Sequence, residues 1–233
     1  MKPLIPEQAL TEKVRDAIVT AIINGTYRPG ERLAQEEIAD RLGVSRQPVS
    51  HALNVLKQQG IVVGLGRKGL TVAPMDPDRL EALYQVRGAL DALAARLAAE
   101  RVGRGEITAA KLDKLAALIV KQQQPETAGS FAQKIEADVT FHLTLYRFSG
   151  NPVIEDMSQP QWVHFRRSMQ EVLNDHSGYP RVWEQHQAIF DAIVAADGET
   201  AAQLCLDHVQ TAAAKAAKRL RTSNTIHHEE TTQ

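Results

Sequence analysis

The chain has 233 residues, 43% hydrophobic and 24% charged, with a formal net charge of −1. That length suits two separate cores rather than one, and a 5% aromatic content favours helices over sandwiches or barrels. The single Cys205 excludes an internal disulfide and a cysteine-based zinc site. No apolar run approaches the roughly 18 residues of a membrane span, and prolines with Glu7 break any signal-peptide stretch, so a soluble, cytoplasmic protein is expected.

The small net charge hides an asymmetry. Residues 1–75 hold 10 Lys/Arg against 7 Asp/Glu, whereas residues 76–233 hold 17 against 21. No acidic residue lies between Asp40 and Asp76, a stretch that contains Arg41, Arg46, Lys57, Arg67 and Lys68. Such a segment can approach phosphates without built-in repulsion.

In chain order, Leu10, Val14, Ala17, Ile18, Ala21 and Ile22 recur at helical spacing and predict a first helix ended by Gly25. A second short helix carries Ile38, Ala39 and Leu42 on its apolar side. Gly43 breaks it, and Ser45 is the expected N-cap of a third. In that third helix Val49, Ala52, Leu53 and Leu56 form the expected buried stripe; Arg46, Ser50 and Asn54, with Gln47 beside Arg46, form the opposite one. Two short helices joined by a glycine turn, the second polar on its outer face, describe a helix-turn-helix. Two β-prone runs, Ile61-Val62-Val63 and Leu70-Thr71-Val72, flank a glycine-rich tip holding Arg67 and Lys68, as in a hairpin wing.

The run GTYRPGERLAQEEIADRLGVSRQPVSHALNVLKQQGIV resembles the DNA-binding domain of GntR-family bacterial regulators, over about the first 75 residues. The resemblance implies double-stranded DNA as partner, with Arg46 and Gln47 touching bases or phosphates: a guanidinium can bridge two guanine acceptors, and Gln can pair with adenine. Arg41, Ser50, Arg67 and Lys68 complete the expected DNA-binding set. Ser50 and His51 depart from the Arg and Glu that many relatives carry there, which unsettles any borrowed operator sequence, and His51 is read as a solvent-facing or core-edge histidine.

Pro74-Met75-Asp76-Pro77 is read as a linker. Beyond it, helical stretches are predicted over about 78–101, 112–120, 131–148, 153–173, 181–196 and 200–220, an antiparallel bundle. The fold class is therefore mainly α, a winged helix-turn-helix followed by an all-α bundle. The polar residues 223–233 are expected to be disordered.

Asp138 and His142 share a helix face four residues apart, while His186 and His208 stand among apolar neighbours on two other helices. Burying them unpaired is costly, and a divalent ion would satisfy them together; by spacing, each histidine also fits a core residue bonded to backbone. Residues 78–220 also resemble the FCD effector domain of the FadR subfamily, through YQVRGALDALAARLA, DVTFHLTLYRFSGNP and EQHQAIFDAIVAAD. That resemblance implies a metal set of Asp138, His142, His186 and His208, with zinc the first expectation and nickel or manganese also suited. It further implies that Arg87 faces the cavity, where a guanidinium suits a small carboxylate effector; a salt bridge from Arg87 to Asp91 fits the spacing equally well. The resulting expectation is a metabolite-responsive homodimeric repressor on a near-palindromic operator. The alternatives are a metal-dependent enzyme fused to a DNA-binding module, or a purely structural ion.

Overall fold

In a computed structural model the chain forms two compact units, Met1–Met75 and Asp76–Gln233. The structure describes residues 7–64, 66, 69–124, 128–173 and 179–230. Arg67 and Lys68 at the wing tip, and His176, lie outside them.

The first unit is built on α1 (Glu7–Ile23), α2 (Gln35–Leu42), α3 (Arg46–Gln58), β1 (Val62–Gly64) and β2 (Leu70–Val72). Val14, Ile18 and Ile22 of α1 and Ile38 and Ala39 of α2 are buried, as are Val49, Ala52, Leu53 and Leu56 of α3. Leu42, expected on the apolar side of α2, is exposed instead; it is the last residue before the chain turns away. There Gly43 adopts φ 63° and ψ 38° and its N–H returns to the last carbonyls of α2, a left-handed cap that other residues adopt at a cost. Ser45 occupies the N-cap of α3 in extended conformation but makes no side-chain cap bond.

The wing strands pair antiparallel, Val62 with Val72 and Gly64 with Leu70. Residues before α2 extend this edge: Leu33 N–H donates to the Leu70 carbonyl and Gly30 N–H to that of Val72.

The second unit contains α4 (Pro77–Gly103), α5 (Ala109–Gln123), α6 (Phe131–Ser149), α7 (Pro152–Ser158), α8 (Trp162–Leu173), α9 (Tyr179–Val194) and α10 (Gly198–Glu230). Helix α4 packs on α6, α9 and α10, and α9 on α5 and α10. The expected linker ends earlier than its prolines suggest. Asp76 caps α4 by accepting from the N–H groups of Asp78 and Arg79, with Pro77 in the first turn, where its missing N–H costs nothing. The single helix expected over 153–173 is divided into α7, a 3-10 turn Gln159–Gln161 and α8, because Pro160 removes a donor and crowds the preceding turn. The segment from residue 223, expected to be disordered, continues α10 to Glu230; extending an existing helix avoids the nucleation that an isolated polar segment would need. Among the described residues, no helix is long and apolar enough to cross a membrane.

The order of α6 fixes the site. Ser130 and Gln133 form a reciprocal capping box at its start, and Gly150 at φ 70° ends it. The helix therefore holds Asp138 about two turns and His142 about three turns inside a well-defined start.

Candidate metal centre and DNA-reading surface

Asp138 and His142 of α6, His186 of α9 and His208 of α10 meet in the bundle, each with one ligand atom within 4.8 Å of the others. All four are buried, His142 and His186 completely. His186 Nε2 lies 3.2 Å from His208 Nε2 and 3.6 Å from Asp138 Oδ1, and His142 Nε2 lies 3.7 Å from Asp138 Oδ2. A tetrahedral ion with bonds of about 2.0–2.2 Å needs ligand atoms about 3.3–3.6 Å apart; the three named pairs lie close to that, and the wider pairs of the set, which reach 4.8 Å, would have to draw in.

The ring nitrogens carry the same message. His142 Nε2 is buried without a hydrogen-bond partner, a costly condition for a polar atom. His208 Nδ1 lies 3.1 Å from Gln185 Oε1, which suits a proton on Nδ1 and a lone pair on Nε2. Burial, reinforced by neighbouring imidazoles, holds His186 and His208 well below the usual histidine range. They are therefore neutral at neutral pH, the form a metal requires. Burial raises the Asp138 carboxyl against the pull of His142 and Arg87, and a cation between these groups would oppose that rise. The donor set fits a divalent ion.

Arg87 is buried on α4 and satisfies both readings of its spacing. Its Nε lies 3.3 Å from Asp91 Oδ2, and its guanidinium carbon lies 4.9 Å from the ring centroids of both Trp162 and Phe165. It also lines, with Tyr84, Asp138, Met169, Val182 and His208, a partly open cleft. Burial lowers the tendency of this guanidinium to ionise, but Asp91 and neighbouring groups more than offset that. Burial likewise pushes the Asp91 carboxyl up, and Arg87 and His142 hold it below its ordinary value.

Asp91, Tyr146 and Gln185 were not singled out as site residues by sequence reasoning. Asp91 entered it as the salt-bridge partner of Arg87; its approach to His142 depends on how α4 packs on α6, which no spacing within one helix reveals. His164 is buried on α8 and is not one of the four converging ligands.

On the first unit, Arg46 and Gln47 are exposed at the start of α3, Ser50 is half-buried, and His51 and Asn54 are exposed. The polar stripe thus faces outward while the opposite face of α3 is sealed. Arg41 is also exposed but is paired with Glu37, Nη2 to Oε1, at 2.6 Å.

The FCD domain model matches residues 82–211, and that of bacterial regulatory proteins of the gntR family matches residues 10–72. The chain belongs to the GntR family. It is a transcriptional regulator with a DNA-binding GntR domain and an FCD effector domain. It is 26% identical over 195 residues to the uncharacterized HTH-type transcriptional regulator YdhC of Bacillus subtilis (strain 168), covering 80% of this chain and 82% of that protein. Identity to the galactonate operon transcriptional repressor of Escherichia coli (strain K12) is 25% over 220 residues, covering 84% and 92%. In fold it resembles E. coli McbR/YncC, with a TM-score of 0.73 at 24% identity over 87% of this chain and 94% of that one. These families and relatives are regulators, not enzymes, which counts against the metal-dependent-enzyme alternative.

Proposed function

We propose that this GntR regulator is a metabolite-responsive repressor that binds a near-palindromic operator as a homodimer, with a divalent ion and a small organic acid held together in the bundle. The observation that carries this reading is one cleft lined by Arg87 and by two of the four converging ligands, Asp138 and His208. Asp138, His142, His186 and His208 would hold the ion, zinc first among the candidates, nickel and manganese next. The ion would supply a fixed positive charge for one carboxylate oxygen. Arg87 would orient a second oxygen through its guanidinium, while Met169 and Val182 offer apolar contact to a short carbon skeleton. The relative named for the galactonate operon is a repressor and takes its name from a sugar acid, which agrees with an acid effector.

On DNA, Arg46 and Gln47 would read base edges in the major groove, with Ser50 beside them. Arg41, Arg67 and Lys68 would contact phosphates, Arg41 exchanging its exposed pairing with Glu37 for the backbone. Paired recognition helices of a two-fold dimer would then match a near-palindromic site. Effector binding alters DNA affinity to the extent that it favours one arrangement of the dimer over another.

A thermal-shift screen of small organic acids on the zinc-loaded protein tests this reading, followed by operator titration with each acid that stabilises it. The expected result is an acid that raises the midpoint in wild type, does so less in Arg87→Met, and weakens operator binding. A broad acid panel with no stabilising member would contradict the effector assignment.

A further inference from the structure

Asp91 lies outside the converging quartet, yet its carboxylate joins the quartet to the cleft. It is fully buried on α4. Its Oδ2 lies 3.0 Å from His142 Nδ1 and 3.3 Å from Arg87 Nε, and its Oδ1 accepts from the Tyr146 hydroxyl. One carboxylate on one helix thus meets a candidate metal ligand and the candidate anion-binding residue.

A neutral imidazole carries a single proton, and only the bare nitrogen can donate its lone pair to an ion. His142 turns Nε2 toward Asp138 and Nδ1 toward Asp91. A carboxylate beside Nδ1 favours the proton there, leaving Nε2 bare. The ring is not yet in line for a full hydrogen bond to Asp91. Tyr146 and Arg87 hold the carboxylate from other directions. The two remaining imidazoles have weaker support: His208 Nδ1 faces the neutral amide of Gln185, and His186 Nδ1 is buried without a hydrogen-bond partner.

We propose that Asp91 is the positioning residue of this centre, keeping His142 protonated on Nδ1 with Nε2 directed at the ion while the same oxygen anchors Arg87 in the cleft. The proposal rests on the reading that the quartet binds a divalent ion. Outer partners of this kind govern metal affinity by roughly 10–100-fold.

The test titrates zinc, with nickel and manganese in parallel, into full-length wild type, Asp91→Asn and His186→Ala after chelator treatment. Ring ¹⁵N shifts of His142 are read in the same ion-stripped samples. Asp91→Asn leaves Arg87 buried beside a neutral group, so Arg87→Met/Asp91→Asn serves as a second variant should the first fail to fold. The expected result is zinc affinity weakened roughly 10–100-fold in either Asp91 variant, with the Nδ1–H form of His142 dominant in wild type and depleted without the carboxylate. Unchanged affinity and an unchanged tautomer, in a series where His186→Ala loses the ion, would overturn the role of Asp91 and leave the centre standing. A wild-type protein that takes up none of the three ions would overturn the centre, and this proposal with it.

Discussion

The two units of this chain place their polar side chains in opposite ways. In the DNA-binding unit, α3 buries Val49, Ala52, Leu53 and Leu56 and exposes Arg46, Gln47 and Asn54, so stability and recognition occupy different faces. In the effector unit, Arg87, Asp91, Asp138, His142, His186 and His208 are all buried, so the groups proposed to bind ligands are also part of the core. Function should be separable from stability in the first unit and inseparable from it in the second.

The largest effect is expected on removing the ion from the second unit. An ion at about 1,000 times its dissociation constant stabilises a folded site by about 4 kcal/mol. Chelation should therefore lower the melting midpoint of the bundle markedly while leaving that of the DNA-binding unit in place, as followed by calorimetry. Parallel loss in both transitions, or in neither, would erase the contrast.

Leu53→Ala comes next. Leu53 is fully buried, and such truncations cost about 2–5 kcal/mol. Denaturant unfolding should show that loss in the first unit without altering zinc uptake by the second.

Arg46→Ala sharpens the comparison from the other side. Removing a base-contacting guanidinium costs about 1–3 kcal/mol of binding, and because Arg46 is exposed the melting midpoint should hold. Fluorescence anisotropy with operator DNA and a parallel melt read both quantities; a destabilised protein with unchanged DNA affinity would reverse the assignment.

The smallest effect is expected at Ser130, whose side chain accepts from Gln133 N–H at the start of α6. Ser130→Ala should cost about 1 kcal/mol of bundle stability, visible as a lower unfolding midpoint with the ion still bound.

The fold was legible where periodicity and punctuation agreed. The buried stripe of α3, the glycine break before it and the β-prone runs of the wing each rest on short-range signals. Local signals also misled. Pro77 looked like linker but starts α4, and Pro160 was passed over inside an apolar pattern that it interrupts. The polar end of α10 looked unstructured because composition does not register the helix it continues.

The candidate centre was partly legible. Asp138 and His142 share a face by simple helical spacing, His186 and His208 stand among apolar neighbours on their own helices, and the family resemblance joins all four as a metal set. Their convergence depends on how α6, α9 and α10 pack, and so do the partners around them. Spacing offered Asp91 to Arg87 within one helix, but its approach to His142 on another helix has no counterpart in a linear pattern. Gln185, one residue before His186, gave no signal either, since its carbonyl meets a ring on α10.

Elemental analysis of the purified full-length protein, beside a His142→Ala/His186→Ala variant, tests the centre most directly. The expected result is one tightly held divalent ion per wild-type chain and none in the variant. Equal metal content in the two proteins, or none in either after reconstitution with zinc, nickel and manganese, would contradict it.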